Sequence, residues 1–315
     1  MARSSSSPVA APGTAIGAVP GRSLALDLLR SLRPAQWTKN LVVFAGLIFG
    51  KKLLDAAAVW DAIAAFVIFC ALSGVVYLVN DLADRESDRR HPLKARRPIA
   101  SGALPVKVAT GAALAIGAVA LAAAYLVGPG FAAVAAAYVV LQMLYSGPLK
   151  HIIIIDVLTI AIGFVLRAAG GAVAVHVQMS HWLFVCTILL ALFLALAKRR
   201  HEIVLLAGGA TSHRPILGEY TAYLLDQMIG VVTASTLIAY VFYTISPETQ
   251  AKFGTPWLGL TIPFPLYGIF RYLYLVHQRE GGGSPADLLV TDRPLLGCVA
   301  LWAVAVALII YRPLL

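Results

Sequence analysis

After residue 22 the chain is a series of long apolar runs separated by short charged or turn-rich segments. The runs fall at about 41–57, 60–79, 106–127, 130–146, 152–175, 181–197, 228–246, 256–276 and 295–312. A helix needs roughly 20 apolar residues to cross the hydrocarbon core, whereas barrel strands would alternate over shorter segments. The pattern therefore predicts an all-α integral membrane protein of about nine transmembrane helices. The first run is short and begins directly after Lys39 and Asn40, so a lead-in helix from Leu24 is expected, with Arg30, Arg33 and Trp37 at the interface. Residues 1–22 are rich in Ser, Ala, Pro and Gly and lack the continuous apolar stretch of a signal peptide. They read as a disordered cytosolic tail, and 23–315 as a single membrane domain.

Composition supports this division. Of the 315 residues, 60% are hydrophobic and only 13% charged, with a mean hydropathy of +0.83; a soluble domain carries about 25% charged residues. The 25 Lys and Arg are distributed unevenly. With the N-terminus inside, only Lys51, Lys52, Lys252 and Arg312 fall outside and Arg167 lies within a run; the rest are cytosolic. That asymmetry predicts an N-in, C-out multi-pass protein of the inner (plasma) membrane with a basic cytoplasmic face. It also accounts for the net charge of +10 without nucleic acid, because a basic face on an anionic leaflet is ordinary for a membrane protein. Cys70, Cys186 and Cys298 lie in separate apolar runs without metal-type spacing and read as small core residues.

Because acids are scarce, their clustering is informative. Asp81, Asp84, Glu86 and Asp88 crowd the cytoplasmic end of the second run, directly after Asn80. If the helix continues, steps of three and four residues place Asp81, Asp84 and Asp88 on one face. Mutual repulsion and the negative end of the helix dipole would disfavour that stripe unless a cation neutralised it. Mg2+ shared between carboxylates and substrate phosphates is the arrangement such oxygens suit. The bland alternative is a solvated loop whose acids pair with Arg85, Arg89 and Arg90. The following segment, with Lys94, Arg96, Arg97 and Pro98, offers clustered cations for phosphate oxygens. Within the fifth run lie Asp156 and Arg167, each costing roughly 2.5–3.5 kcal/mol at a helix centre, so both are expected to face a polar cavity. Eleven residues of helix separate them by about 16 Å, too far to pair.

The segment from Asn80 to Asp88 reads NDxxDxxxD, and the basic loop after it ends in RPxxxG at Arg97 to Gly102. In this the chain resembles the UbiA superfamily of intramembrane prenyltransferases. The likeness extends through Arg33 to Asn40, Tyr145, Lys150, His151, Asp156 to Arg167, Lys198 to Glu202, Glu219 to Gln227 and Leu289 to Leu295. It implies a UbiA-like helical bundle forming a single transferase domain over 23–315. More specifically, it implies the branch that moves 5-phosphoribosyl from phosphoribosyl pyrophosphate to a polyprenyl, decaprenyl-like phosphate. Pyrophosphate is released with Mg2+ as cofactor, and the product is a pentose-donating lipid for cell-envelope arabinan.

One departure bears on the donor. Conventional aromatic prenyltransferases carry a second Asp-rich motif after the sixth span, where this chain has Lys198, Arg199, Arg200, His201 and Glu202. Three cations there suit a donor or acceptor rich in phosphate; a plain positive-inside anchor is the alternative. The resemblance makes Asp81, Asp84 and Asp88 metal ligands and, with Asp156, the catalytic set. Substrate contacts are expected from Lys39, Asn40, Asn80, Arg89, Lys94, Arg97, Tyr145, Lys150, Arg167, Lys198, Arg199, Arg200 and Glu202. Lys39 could equally be a snorkelling anchor. His91, His151 and His201 lack metal-site spacing and are assigned no role. The expected partners are phosphoribosyl pyrophosphate, a polyprenyl phosphate and the bilayer; a homo-oligomer is left open. Two other readings stand beside this one: transfer of a prenyl group from its diphosphate to an aromatic acceptor, and a transporter or lipid carrier without chemistry.

Overall fold

The computed structural model describes residues 23–92, 94–206, 218–279, 288–289 and 291–311; the predicted tail, 1–22, lies outside them. No strand occurs among the described residues. The chain begins with α1 (Leu24–Ser31), N-capped by Ser23, followed by a 3-10 segment, Pro34–Phe44, and a short α2 (Ala45–Phe49). Next come α3 (Ala56–Ala83), α4 (Arg85–Arg90), α5 (Pro98–Ser101), α6 (Val106–Val127), α7 (Pro129–Ser146) and α8 (Ile155–Ala174). The second half holds α9 (His181–Leu206), α10 (Ala222–Ile245), α11 (Pro247–Phe253), α12 (Pro263–Gln278) and α13 (Arg293–Tyr311).

Six of these, α3, α6, α7, α8, α10 and α13, are long and apolar enough to cross a membrane. Helix α9 and α12 cover two more of the predicted runs. Two runs are not single helices. The first is wound as a 3-10 helix and then one α-helical turn, ending at Gly50, with Lys51 at φ 58°. The eighth is broken between the 3-10 turn Trp257–Thr261 and α12, whose Pro263 lacks the N–H that would continue the ladder. Asp55 defines the start of α3 by accepting from the N–H groups of Ala57 (3.1 Å) and Ala58 (3.3 Å).

Helices α3 and α8 are the most enclosed of the six. The first run packs closely against α8. A methyl on Gly171 would fall on the Val43 carbonyl oxygen, and one on Gly46 would lie 2.6 Å from the Ala172 Cα. Small residues that let backbones touch are the usual means of packing helices where lipid supplies no hydrophobic drive. Gly171→Val should therefore lower the melting temperature in detergent by several degrees or prevent folding; a variant as stable as wild type would mean this contact is not needed. On the other side of α8, Phe69 meets Phe131 and Tyr138 edge to face, with ring centroids 5.7 and 5.4 Å apart. Cys70 and Cys298 are buried, as small core residues should be.

Side-chain contacts join the end of α3 to the start of α5, and the ends of α7 and α9 to the start of α8 and the segment before α10. These helix ends carry nearly all the functional candidates.

Candidate active site

The acidic segment straddles the junction of α3 and α4. Backbone hydrogen bonds carry through it, from Asp84 N–H to the Asn80 carbonyl (2.9 Å) and from Asp88 N–H to the Asp84 carbonyl (2.8 Å). Asp81 and Asp88 thus stay on one side, and both are buried. One nitrogen of Arg97 joins them: Nη1 donates to Asp81 Oδ1 at 3.0 Å and to Asp88 Oδ2 at 2.7 Å. Asp81 also accepts from Arg33, whose guanidinium lies 4.5 Å from the Tyr77 ring centroid. Lys94 approaches Asp88 at 3.9 Å. Asp84 and Asn80 are half-buried at the same junction. Arg89 donates to the Ala100 carbonyl (3.0 Å), tying α4 to α5, and to Glu86 at 3.5 Å.

These residues fit a magnesium ion. The donors are hard carboxylate oxygens, and Asp81 and Asp88 already converge on a single cationic nitrogen. Among the described residues no three His, Cys, Asp or Glu side chains form a ready-made cage. Mg2+ held by one or two carboxylates and by substrate phosphates requires none.

A second cluster sits at the start of α8. Asp156 has no exposed surface; its Oδ2 accepts from Arg199 Nε and its Oδ1 from the Tyr220 hydroxyl, each at 2.8 Å. Arg199, also buried, spends its other nitrogens on Glu202 (2.7 Å) and the Tyr145 hydroxyl (3.1 Å). The Tyr220 hydroxyl accepts from the Ile154 N–H at 2.8 Å. Burial, and the hydrogen bond to Asp156, push this phenol up to about 12, so it remains a donor at neutral pH. Ile154 is at φ 68°, a costly conformation for a β-branched residue, and the turn it makes sends α8 off with Asp156 facing inward.

The cationic run therefore does not form one open phosphate cradle. Arg199 is consumed by buried partners, and Arg200 forks onto Asp226, with Nη2 at 3.3 Å from Oδ2. Lys198 reaches within 3.9 Å of Glu202 and keeps 43% of its side chain exposed. Lys150 is half-buried nearby on the turn after α7, and Lys39 is half-buried on the 3-10 segment.

Arg167 and Asp156 do not meet, as the spacing predicts. Arg167 is instead locked into the bundle, donating to Asn40 Oδ1 (2.7 Å), the Tyr138 hydroxyl (2.8 Å) and the Gly163 carbonyl (3.0 Å). Asn40 is fully buried and donates on to Cys70 and Ser73, at 3.3 Å each. The structure thus places Asn40 and Arg167, both expected at substrate, in a tie between the 3-10 segment, α3, α7 and α8. At the C-terminal side Asp292 accepts from the Leu295 N–H (2.9 Å) at the head of α13 and from Arg271 (2.8 Å). The Arg271 guanidinium holds the Asp292 carboxyl below the usual range.

Arg33 and Tyr220 were not assigned to the site from the sequence, and they partner acids 48 and 64 positions away. Arg33 was expected only at the membrane interface, and both lie in segments that carried the family likeness.

The chain is similar to several known proteins. A decaprenyl-phosphate phosphoribosyltransferase of Corynebacterium glutamicum is 32% identical, over 93% of this chain and 89% of its own. The enzyme of that name from Mycobacterium tuberculosis is 30% identical, over 91% of this chain and 95% of its own. Among solved structures, a UbiA homolog from Archaeoglobus fulgidus bound to DMAPP and Mg2+ superimposes with a TM-score of 0.70 at 19% identity. It covers 90% of this chain and 99% of that one, a likeness of fold. The sequence profile of the UbiA prenyltransferase family matches residues 41–291. The chain therefore belongs to the UbiA prenyltransferase family and is a membrane-embedded transferase.

Proposed function

We propose that this protein transfers 5-phosphoribosyl from phosphoribosyl pyrophosphate to a polyprenyl phosphate, with Mg2+, at the cytoplasmic face of the inner membrane. The observation that carries the reading is the end of α9. Where a second acidic metal motif would grip a prenyl diphosphate, Lys198, Arg199 and Arg200 stand. The names of the relatives at 30–32% identity point the same way.

In this reading a phosphate oxygen of the lipid attacks the anomeric carbon of the donor, and the bond from that carbon to the pyrophosphate oxygen breaks. The electron pair leaves with pyrophosphate. Because the nucleophile is already anionic, no strong general base is needed, and catalysis rests on placing the two reactants and stabilising the leaving group. Asp81, Asp84 and Asp88 would hold Mg2+, which supplies positive charge to the departing pyrophosphate. Lys94 and Arg97 on the loop after α4 are placed to take phosphate oxygens of the donor. Lys198 and Lys150, at the ends of α9 and α7, are candidates for its separate 5-phosphate or for the lipid phosphate. Asp156 and Arg199 act beneath them, fixing Glu202 and Tyr145 in position. Arg167 and Asn40 hold the helices on which Asp81 and Asp156 ride. The positive-inside distribution of Lys and Arg sets this end in the cytosol, where the soluble donor and the metal are found, while the polyprenyl chain stays in lipid.

The test is pyrophosphate release from phosphoribosyl pyrophosphate by the purified protein in detergent. Release that requires both Mg2+ and a polyprenyl phosphate is the expected result. Release that proceeds without the lipid, or none under any combination, would refute the reading.

A further inference from the structure

Arg97 lies where a metal ion would. Its Nη1 sits between Asp81 Oδ1 and Asp88 Oδ2, at 3.0 and 2.7 Å, so a single cationic nitrogen already neutralises the two carboxylates expected to receive Mg2+. Arg33 and Lys94 stand beside the same pair. Around the carboxylates of Asp81 and Asp88, then, the protein supplies three cations for two anions. We propose that Arg97 is an internal counter-ion that holds the metal seat closed until the diphosphate arrives, and that it then swings from the carboxylates to the phosphate oxygens.

Electrostatics supports the order of events. Adding a free divalent ion beside two buried carboxylates that Arg33, Lys94 and Arg97 already neutralise is unfavourable. Adding the ion together with a diphosphate is not, because the anion balances the metal and offers Arg97 a better partner for its fork. The side chains differ in their freedom to move. Arg33 is stacked on Tyr77, with its guanidinium 4.5 Å from the ring centroid. Arg33 and Arg97 expose similar shares of their side chains, 29% and 30%, so the stacking is what separates them, and Arg97 begins the short α5. Arg97 is therefore the residue that yields, and Arg33 remains to hold Asp81. Metal and donor should bind as one unit, each weak alone. Since coupling between two ligands is reciprocal, pyrophosphate binding must also strengthen with metal by the same factor.

The inference rests on the proposed metal role of the acidic segment, and the experiment separates the two. Mn2+ serves as the probe in place of Mg2+, with binding to the purified full-length protein read by electron paramagnetic resonance, with and without inorganic pyrophosphate. In wild type, pyrophosphate should tighten Mn2+ binding at least tenfold beyond its chelation of the ion in solution; equal affinity would overturn the inference without any variant. Arg97→Gln should bind Mn2+ alone about tenfold more tightly than wild type and lose most of the pyrophosphate coupling. Arg97→Lys, which keeps the charge on a smaller head, should fall between. Lys107→Gln, at the exposed start of α6, removes a basic charge from the same end and should leave Mn2+ affinity unchanged. No gain in Arg97→Gln, or an equal gain in Lys107→Gln, overturns the internal counter-ion. If wild type binds no Mn2+ even with pyrophosphate, or if Asp81→Asn binds it as wild type does, the metal role itself fails, and the inference with it.

Discussion

Asp84→Asn is expected to cut magnesium-dependent turnover by about two orders of magnitude at limiting Mg2+ while leaving the melting temperature within a degree or two of wild type. Asp84 is half-buried at the turn between α3 and α4. Among the described residues no ion pair holds Asp84, the cations of the site being directed to its neighbours, so its charge can be removed there without breaking one. Loss of a metal ligand or of its close support typically costs 10–100-fold in affinity or activity. The corresponding changes at Asp81 and Asp88 should abolish turnover to a similar or greater degree, but with a loss of stability as well. Each would take from Arg97 one of its two buried carboxylates, and Asp81→Asn would also take the partner of Arg33. Steady-state rates over a magnesium titration, with thermal unfolding in detergent, distinguish the two patterns. Wild-type rates for all three variants would mean that the acids only pair with the loop.

The second large effect is on stability. Arg199→Gln should destabilise the protein by about 3–5 kcal/mol, because it leaves Asp156 charged in a site with no exposed surface. Arg199→Lys should recover little, since one ammonium cannot reach Asp156, Glu202 and the Tyr145 hydroxyl together, as the planar fork does. Asp156→Asn should be nearly as harmful, and the double variant Asp156→Asn with Arg199→Gln should lose less than the sum of the two. Thermal unfolding of all three in one detergent measures this coupling. Full additivity would show that the two side chains do not depend on each other. Donor affinity should respond most to Lys198, the exposed member of the run, and little to Arg200, which Asp226 holds.

Much of this was legible in the chain and some was not, for identifiable reasons. Hydropathy located α3, α6, α7, α8, α9, α10 and α13 because lipid requires long apolar stretches with their backbone hydrogen bonds satisfied internally, and it did not foresee the break in the eighth run at Pro263. It misjudged the first run, where composition is apolar but Gly46 and the facing Gly171 bring backbones together and the winding tightens to 3-10. The acidic segment was readable because its spacing matches helical periodicity and the helical hydrogen bonds do continue across it. The cationic run near the end of α9 could be seen in the sequence, but the partners of Arg199 and Arg200, Asp156 and Asp226, stand 43 and 26 positions away and no local pattern pairs them. Asn40 next to Lys39 likewise read as part of a phosphate cradle, and its burial against Arg167, 127 residues distant, is a tertiary fact that no local pattern contains.

The claim at the centre of this account is the identity of the transferred group, and the product lipid reports it directly. Purified protein with Mg2+ is given equal amounts of labelled phosphoribosyl pyrophosphate and a labelled prenyl diphosphate, together with a polyprenyl phosphate and an aromatic acceptor, and the extracted lipids are identified by mass spectrometry. The account predicts a polyprenyl-phosphoryl phosphoribose carrying the ribosyl label and no prenylated aromatic. A prenylated aromatic product, with the ribosyl donor untouched, would contradict it.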